Sequence, residues 1–275
     1  GVLDKLDYLS ELGVNALYFN PINDAPSMHK YDARHWRHVD VNFGPDPDGD
    51  RALIASEDPL DPSTWVMTSA DTMFINLVAA AKKRGMRVIL DYSWNHTGHT
   101  FWAWQDVLKN QAASNYADWY WVNSFDDPAT EQNEFDYRGW FGVFDLPEIK
   151  ETEYADHSQK VTLLEGDIYS QAAKDHILNV TRRWLDPNGD GDPSDGVDGF
   201  RLDVAAEVPL GFWRDYRRFV KAINPEAYLI AEIWWEQFPD DLFDPAPVLK
   251  GDVFDAVMNY RWYRAARRFF AEAPQ

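Results

Sequence analysis

Two acidic residues, Asp203 and Glu232, each close a short apolar run, Gly199-Phe200-Arg201-Leu202-Asp203 and Tyr228-Leu229-Ile230-Ala231-Glu232. Runs of this length and composition read as buried strands. In a parallel α/β barrel, the C-terminal strand ends are where side chains meet a substrate. Arg201 and Asp203 are two residues apart, so on a strand both point to one face. A guanidinium there is expected to keep Asp203 ionised with a lowered pKa, ready to attack. Glu232 is expected to start protonated, in surroundings that raise its pKa. A carboxylate nucleophile and a carboxylic acid are what cleavage of a glycosidic bond with retention requires, with the carboxyls about 5–5.5 Å apart. Taken alone, Arg201 and Asp203 also fit a buried ion pair that merely holds the strand.

The elements that must position this pair alternate. Leu3, Leu6, Leu9 and Leu12 recur at helical spacing and end at Gly13, and Val14 to Phe19 then reads as a strand. An excursion rich in Asp, Pro and Gly runs to about Thr68. It is followed by a helix from about Ser69 to Arg84 and the strand Val88-Ile89-Leu90 running into Asp91. Helices are expected from about Ser170 to Leu185 and from Phe212 to Ile223, and Val253 to Met258 fits one more strand. Such alternation predicts parallel strands joined by crossovers. A doubly wound sheet expects a Gly-rich turn after its first strand, where this chain has Phe19-Asn20-Pro21, so a (β/α)8 barrel is the better fit.

The 275 residues carry 26 Lys plus Arg against 46 Asp plus Glu, a formal charge of -20, which argues against nucleic acid and anionic membranes as partners. No apolar run is long enough to span a bilayer. With no cysteine, disulfide and thiol chemistry are excluded, while compartment and oligomeric state stay open. Of the abundant aromatics, Trp102, Trp104, Trp119, Tyr120 and Trp121 cluster in one segment, suited either to a core or to a cleft that stacks on sugar rings.

Five segments occur together and in order: Ala25-Pro26-Ser27 with His29-Lys30-Tyr31-Asp32; Asp91-Tyr92-Ser93-Trp94-Asn95-His96; Gly199 to Val208; Glu232-Ile233-Trp234; and Phe254 to Tyr260. In this combination the chain resembles the α-amylase family of glycosidases, glycoside hydrolase family 13, and within it the neopullulanase, cyclomaltodextrinase and maltogenic-amylase branch. The resemblance implies a TIM (β/α)8 barrel with a subdomain inserted after the third strand. Residues 1–96 are then barrel with a long loop at 20–68, residues 97–160 the insert, and residues 161–275 the barrel part bearing both acids. It implies Asp203 as nucleophile, Glu232 as general acid/base, and His96, Arg201 and Trp234 around the sugar. Tyr31 is implied as a stacking platform, and Asp91 and Asn95 as supports. Leu146 to Lys150 occupies a marker of the insert that usually ends in Asn, and Trp235 stands where cyclomaltodextrinases usually carry His. The family's third carboxylate, in a Phe-x-x-x-His-Asp segment, has no match, and the first barrel strand is expected before Gly1. The chain is therefore expected to be an incomplete barrel, a segment of a longer protein.

The implied activity is hydrolysis of α-1,4 bonds in maltooligosaccharides, cyclodextrins, pullulan or starch. A transglycosylase or exo-α-glucosidase would use the same carboxylates. Non-catalytic amylase-like carbohydrate binders typically lose them. Glu207, four residues past Asp203, either touches the sugar on the leaving-group side or caps the next helix. Asp186, Asn188, Asp190 and Asp192 place oxygens at alternate positions like half of a calcium loop, with Val197 where an EF-hand glutamate would be. A structural calcium and a solvated acidic turn both fit. Asp46-Pro47-Asp48-Gly49-Asp50 is a weaker version. Asn95-His96-Thr97 and Asn179-Val180-Thr181 match glycosylation acceptors by pattern only.

Overall fold

The computed structural model describes residues 1–152, 163–238 and 241–271, so the domain boundary expected at 160/161 lies outside the described residues. Five strands, β1 (Ala16–Phe19), β2 (Arg87–Ser93), β3 (Gly199–Asp203), β4 (Tyr228–Ala231) and β5 (Ala256–Val257), pair in parallel in that spatial order. Helices α1 (Leu6–Glu11), α2 (Pro47–Ile54), α3 (Ser69–Lys82), α4 (Trp102–Asn110), α5 (Gln171–Leu185), α6 (Leu210–Ile223) and α7 (Tyr260–Phe270) accompany the sheet. Two short antiparallel pairs, Val122–Ser124 with Asp136–Tyr137 and Trp235–Gln237 with Asp241–Leu242, lie outside it. No helix among the described residues is long and apolar enough to cross a membrane.

The apolar runs became strands because β2 and β3 are buried along nearly their whole length, as the inner strands of a parallel sheet must be. Gly199 opens β3 at φ 153°, and a Cβ there would lie 2.0 Å from the Tyr228 carbonyl oxygen. Only glycine lets β3 and β4 approach so closely.

Three helices lie where the sequence reading had none. α2 falls inside the long excursion, in the stretch offered as a weak calcium pattern. Asp46 instead caps α2 by accepting from the Gly49 N–H (3.1 Å), and Asp50 caps α3 by accepting from the N–H groups of Ser69 (2.7 Å) and Ala70 (3.1 Å). α4 and α7 were missed although both are amphipathic, because one falls in the segment read as an insert and the other after the last expected strand. The cluster in and after α4 is core: Trp104 and Trp119 are fully buried, and Tyr120 and Trp121 nearly so. These rings do not line a cleft.

A buried charge network ties the excursion to the helices. His38 Nδ1 lies 2.7 Å from Asp71 Oδ2 and its Nε2 2.9 Å from Glu57 Oε2. Arg37 bonds Glu57 (2.6 Å), and Arg183 of α5 bonds Asp71 (2.9 Å). Against the cost of burial, His38 above all holds both carboxyls down, each to about 2. Their contribution is therefore present above the usual carboxylate range and is lost as pH falls toward 2.

His176 of α5 is caged by Trp36, Trp65, Phe101, Trp102 and Trp119, with ring centroids 5.5–6.4 Å away. Neither ring nitrogen makes a hydrogen bond of normal geometry, the Pro59 carbonyl being a weak neighbour. Burial pushes this imidazole down to about 3. The unfolded chain takes up a proton near pH 6.5 that the folded chain refuses, so stability is lost as pH falls below 6.5. His176→Phe is expected to remove that loss. Relative to wild type, the variant should gain about 2 kcal/mol on going from pH 7.5 to pH 5, read from urea midpoints. A gap that does not change with pH would refute a neutral His176.

Candidate active site

Register brings the acidic residues together. Asp91 of β2 sits opposite Arg201 of β3, Ser93 opposite Asp203, and Leu202 opposite Ala231 of β4. Glu232, one residue past β4, bonds its N–H to the Leu202 carbonyl (2.9 Å), which sets it beside Asp203. Both carboxyls are buried, each residue 8% exposed.

One guanidinium connects them. Arg201 Nη1 bonds Asp203 Oδ1 and both oxygens of Asp91 (3.1 Å each), while Nη2 pairs with Glu232 Oε1 at 2.6 Å. Burial opposes the charge on Arg201, yet Asp91, Glu232 and Asp203 together hold it above its ordinary value. Asp203 departs from expectation. Burial first, and the Glu232 carboxyl second, push it up to about 8, outweighing Arg201. Glu232 has two more donors: the Tyr260 hydroxyl at Oε1 (2.7 Å) and the Val204 N–H at Oε2 (3.0 Å).

Asp91 anchors the floor. It accepts from the hydroxyls of Tyr18 on β1 and of Tyr31 (2.8 Å), and burial raises its carboxyl despite Arg201 and these bonds. The loop carrying Tyr31 is pinned at Gly98, where a Cβ would lie 2.2 Å from the Asp32 carbonyl oxygen. Tyr31 remains a neutral phenol, raised by burial and by Asp91 and Asp203.

His96 is fully buried and stacks under Trp140 (5.0 Å, 17°), its Nε2 without a hydrogen-bond partner. Burial lowers it to about 3, so the ring is neutral. Asn95 joins the Ile149 N–H to its carbonyl (2.9 Å). Trp140 lies parallel to Trp234 (6.1 Å, 8°), with Phe141 edge-on to Trp234 (6.1 Å). Glu207 accepts from Trp140 Nε1 (3.0 Å), and α6 has no side-chain cap, so Glu207 supports the aromatic wall rather than the helix. In the marker segment, Glu148 pairs with Arg138 and is pushed up by burial to about 7. Lys150 lies over the Tyr169 ring (4.0 Å).

Sequence reasoning gave no role to Tyr18, Trp140, Phe141, Val204 or Tyr260. Val204 and Tyr260 stood in quoted segments, and Tyr18 alternates onto the face shared with Ala16; for Trp140 and Phe141 no local signal existed.

The loop after α5 uses its oxygens on its own backbone. Asn188 accepts from Asp190 N–H (2.8 Å), Asp190 from Asp192 N–H (2.8 Å), Asp192 from Ser194 N–H (2.9 Å) and Asp186 Oδ2 from Gly191 N–H (3.0 Å). Among the described residues, no three His, Asp or Glu side chains gather as a metal cage. Asp186 Oδ1 and Asp195 Oδ1 are nevertheless buried without partners, and burial, then Asp186 and Asp190, raise the Asp195 carboxyl.

The profile described as "Alpha amylase, catalytic domain" matches residues 1–57 and 69–275. Neopullulanase 2 of Thermoactinomyces vulgaris is 35% identical over 98% of this chain, and a cyclomaltodextrinase of Geobacillus thermopakistaniensis is 34% identical over 99% of it. The chain spans 36% of the length of each. The structure of a cyclic α-maltosyl-(1→6)-maltose hydrolase from Arthrobacter globiformis, in complex with that cyclic sugar, superposes with a TM-score of 0.69 at 30% identity. It covers 98% of this chain and 47% of that one.

Proposed function

We propose, for a chain that belongs to the α-amylase catalytic-domain family, that it carries the nucleophile and acid/base of a retaining hydrolase of α-1,4-glucosidic bonds. Maltooligosaccharides, cyclodextrins, pullulan and starch are the substrate class, in line with the names of its relatives. The observation that carries the reading is the single Arg201 guanidinium spanning Asp203 and Glu232 at adjacent strand ends. Two carboxyls on one planar cation at adjacent strand ends both face the place where an anomeric carbon would sit, as a nucleophile and an acid must.

The chemistry starts from an Asp203 carboxyl that burial and the neighbouring Glu232 raise. In the free site Arg201, Tyr260 and Val204 all donate to Glu232, while the raised group is Asp203. A bound sugar must draw the proton to Glu232 and leave Asp203 ionised on Arg201. Asp203 then attacks the anomeric carbon as Glu232 protonates the leaving oxygen, and Glu232 next deprotonates the water that releases the sugar. His96 Nε2 offers a bond to a sugar hydroxyl, and Tyr31, Trp140 and Trp234 offer stacking faces. The rest of a (β/α)8 barrel, with residues 97–160 as an insert, would enclose this site.

The test is product analysis on cyclodextrin, pullulan and starch, with NMR of the first-formed anomer. An α-anomer supports retention, a β-anomer overturns it, and no turnover on any α-glucan overturns the activity.

Calcium at the loop after α5 belongs to the same reading, supported by the two partnerless buried oxygens of Asp186 and Asp195. A cation would satisfy both and cancel their repulsion. Millimolar calcium is expected to raise the melting temperature over chelator by roughly 2–6 °C. Asp186→Asn should abolish the difference, and equal temperatures in wild type would rule the ion out.

A further inference from the structure

Ser93, the last residue of β2, is 4% exposed, and its Oγ is buried without a hydrogen-bond partner. A buried hydroxyl left unpaired is costly, and such an exception in a native fold calls for a reason. Its place in the sheet supplies one. Ser93 pairs in register with Asp203, and two residues earlier Asp91 pairs with Arg201. Residues two apart on a strand share a face, so Ser93 follows Asp91, and Asp203 follows Arg201, along the same face. The earlier pair already meets across the strands, where Arg201 Nη1 bonds both Asp91 oxygens at 3.1 Å. Tyr92 and Trp94 alternate to the other face and stack on each other in the apolar core (4.5 Å, 16°). Neighbouring strands lie about 4.8 Å apart, so a serine hydroxyl that swings between staggered rotamers can reach the carboxyl opposite it.

Asp203 is short of donors. The charged and titratable groups around its carboxyl are Arg201, Asp91 and Glu232, with the phenols of Tyr31 and Tyr260. Among the described residues only Arg201 donates to it, at Oδ1. Asp91 and Glu232 oppose its charge, and both phenols are committed elsewhere, Tyr31 to Asp91 (2.8 Å) and Tyr260 to Glu232 (2.7 Å). We propose that Ser93 is a positioning residue whose hydroxyl turns onto the second oxygen of Asp203 when that carboxyl ionises, and holds it as the carboxylate that attacks. A hydroxyl suits the task, because it can turn away again once the carboxyl is protonated or esterified.

The role in attack rests on Asp203 being the nucleophile, and the experiment separates the two claims. In the whole protein carrying Glu232→Gln, which removes the coupled carboxyl, the Asp203 titration is followed by carboxyl-¹³C NMR with and without Ser93→Ala. A donor to the ionised form lowers a carboxyl pKa. Its removal is therefore expected to raise that of Asp203 by about one to two pH units, the range for one hydrogen bond to a charged group. An unchanged titration overturns the proposal. This readout needs no turnover, so it decides the contact even in a protein that cleaves no α-glucan, a result that would refute the hydrolase reading instead. With Glu232 intact, Ser93→Ala is expected to lower kcat on cyclodextrin near pH 6 about tenfold and to leave KM within threefold. An unchanged kcat overturns the role in attack, and a loss confined to KM does the same by assigning the hydroxyl to the sugar.

Discussion

Asp203→Asn is expected to lower turnover on cyclodextrin by roughly four to five orders of magnitude, about 5.5–7 kcal/mol of barrier, while binding persists. The amide is isosteric but cannot form or release a glycosyl ester, so on the proposed retaining route the step through a covalent intermediate would be closed. The fold should tolerate the change. Arg201 keeps Asp91 through Nη1 and Glu232 through Nη2, so no buried charge is stranded. Removing the carboxyl also removes a group that burial and Glu232 already hold near 8. Turnover by product release and binding by calorimetry, on the same preparation, check both halves. Near-normal turnover would sink the nucleophile assignment, and lost binding would point to a structural Arg201–Asp203 pair.

The second large effect lies away from the site. Asp71→Ala should destabilise the fold by about 3–5 kcal/mol, the cost of breaking a buried ion pair by removing one partner. Asp71 accepts from His38, from Arg183, and from the Val39 (2.8 Å) and Thr68 (3.1 Å) N–H groups. Its loss leaves a histidine and a guanidinium buried with fewer partners and opens the capping box of α3. Against a typical total stability of about 5–15 kcal/mol, that is a large share. Urea unfolding with an unchanged slope and a lowered midpoint is the expected outcome. An unfolding free energy within about 0.5 kcal/mol of wild type would show that the network is not a structural anchor. Because the network ties down the excursion that bears Tyr31, residual activity at low temperature should show weaker sugar binding as well.

The inner strands were legible because a parallel sheet buries both faces, which makes β2, β3 and β4 nearly unbroken apolar runs, two of them leading into Asp203 and Glu232. The helices α3, α5 and α6 were legible for a related reason, since each packs one face on the core. The excursion was harder. Its Asp residues read as loop or cation ligands, yet Asp46 and Asp50 cap helices, contacts made with partners that the sequence leaves unpaired.

What the amino-acid sequence determined by itself was the alternation of elements and the identity of the residues at strand ends, because both follow from side-chain period and burial along a single segment. Only the tertiary structure decided how those residues share charge. The direction of the Asp203 shift depends on how deeply it is buried and how near Glu232 stands, and the arginine two residues away is the weaker influence. The aromatic wall of His96, Trp140 and Trp234, its support by Glu207, and the N–H of Val204 on Glu232 all join segments far apart in the chain. Electrostatics and stacking act through space, so their outcome was set when the strands took their register.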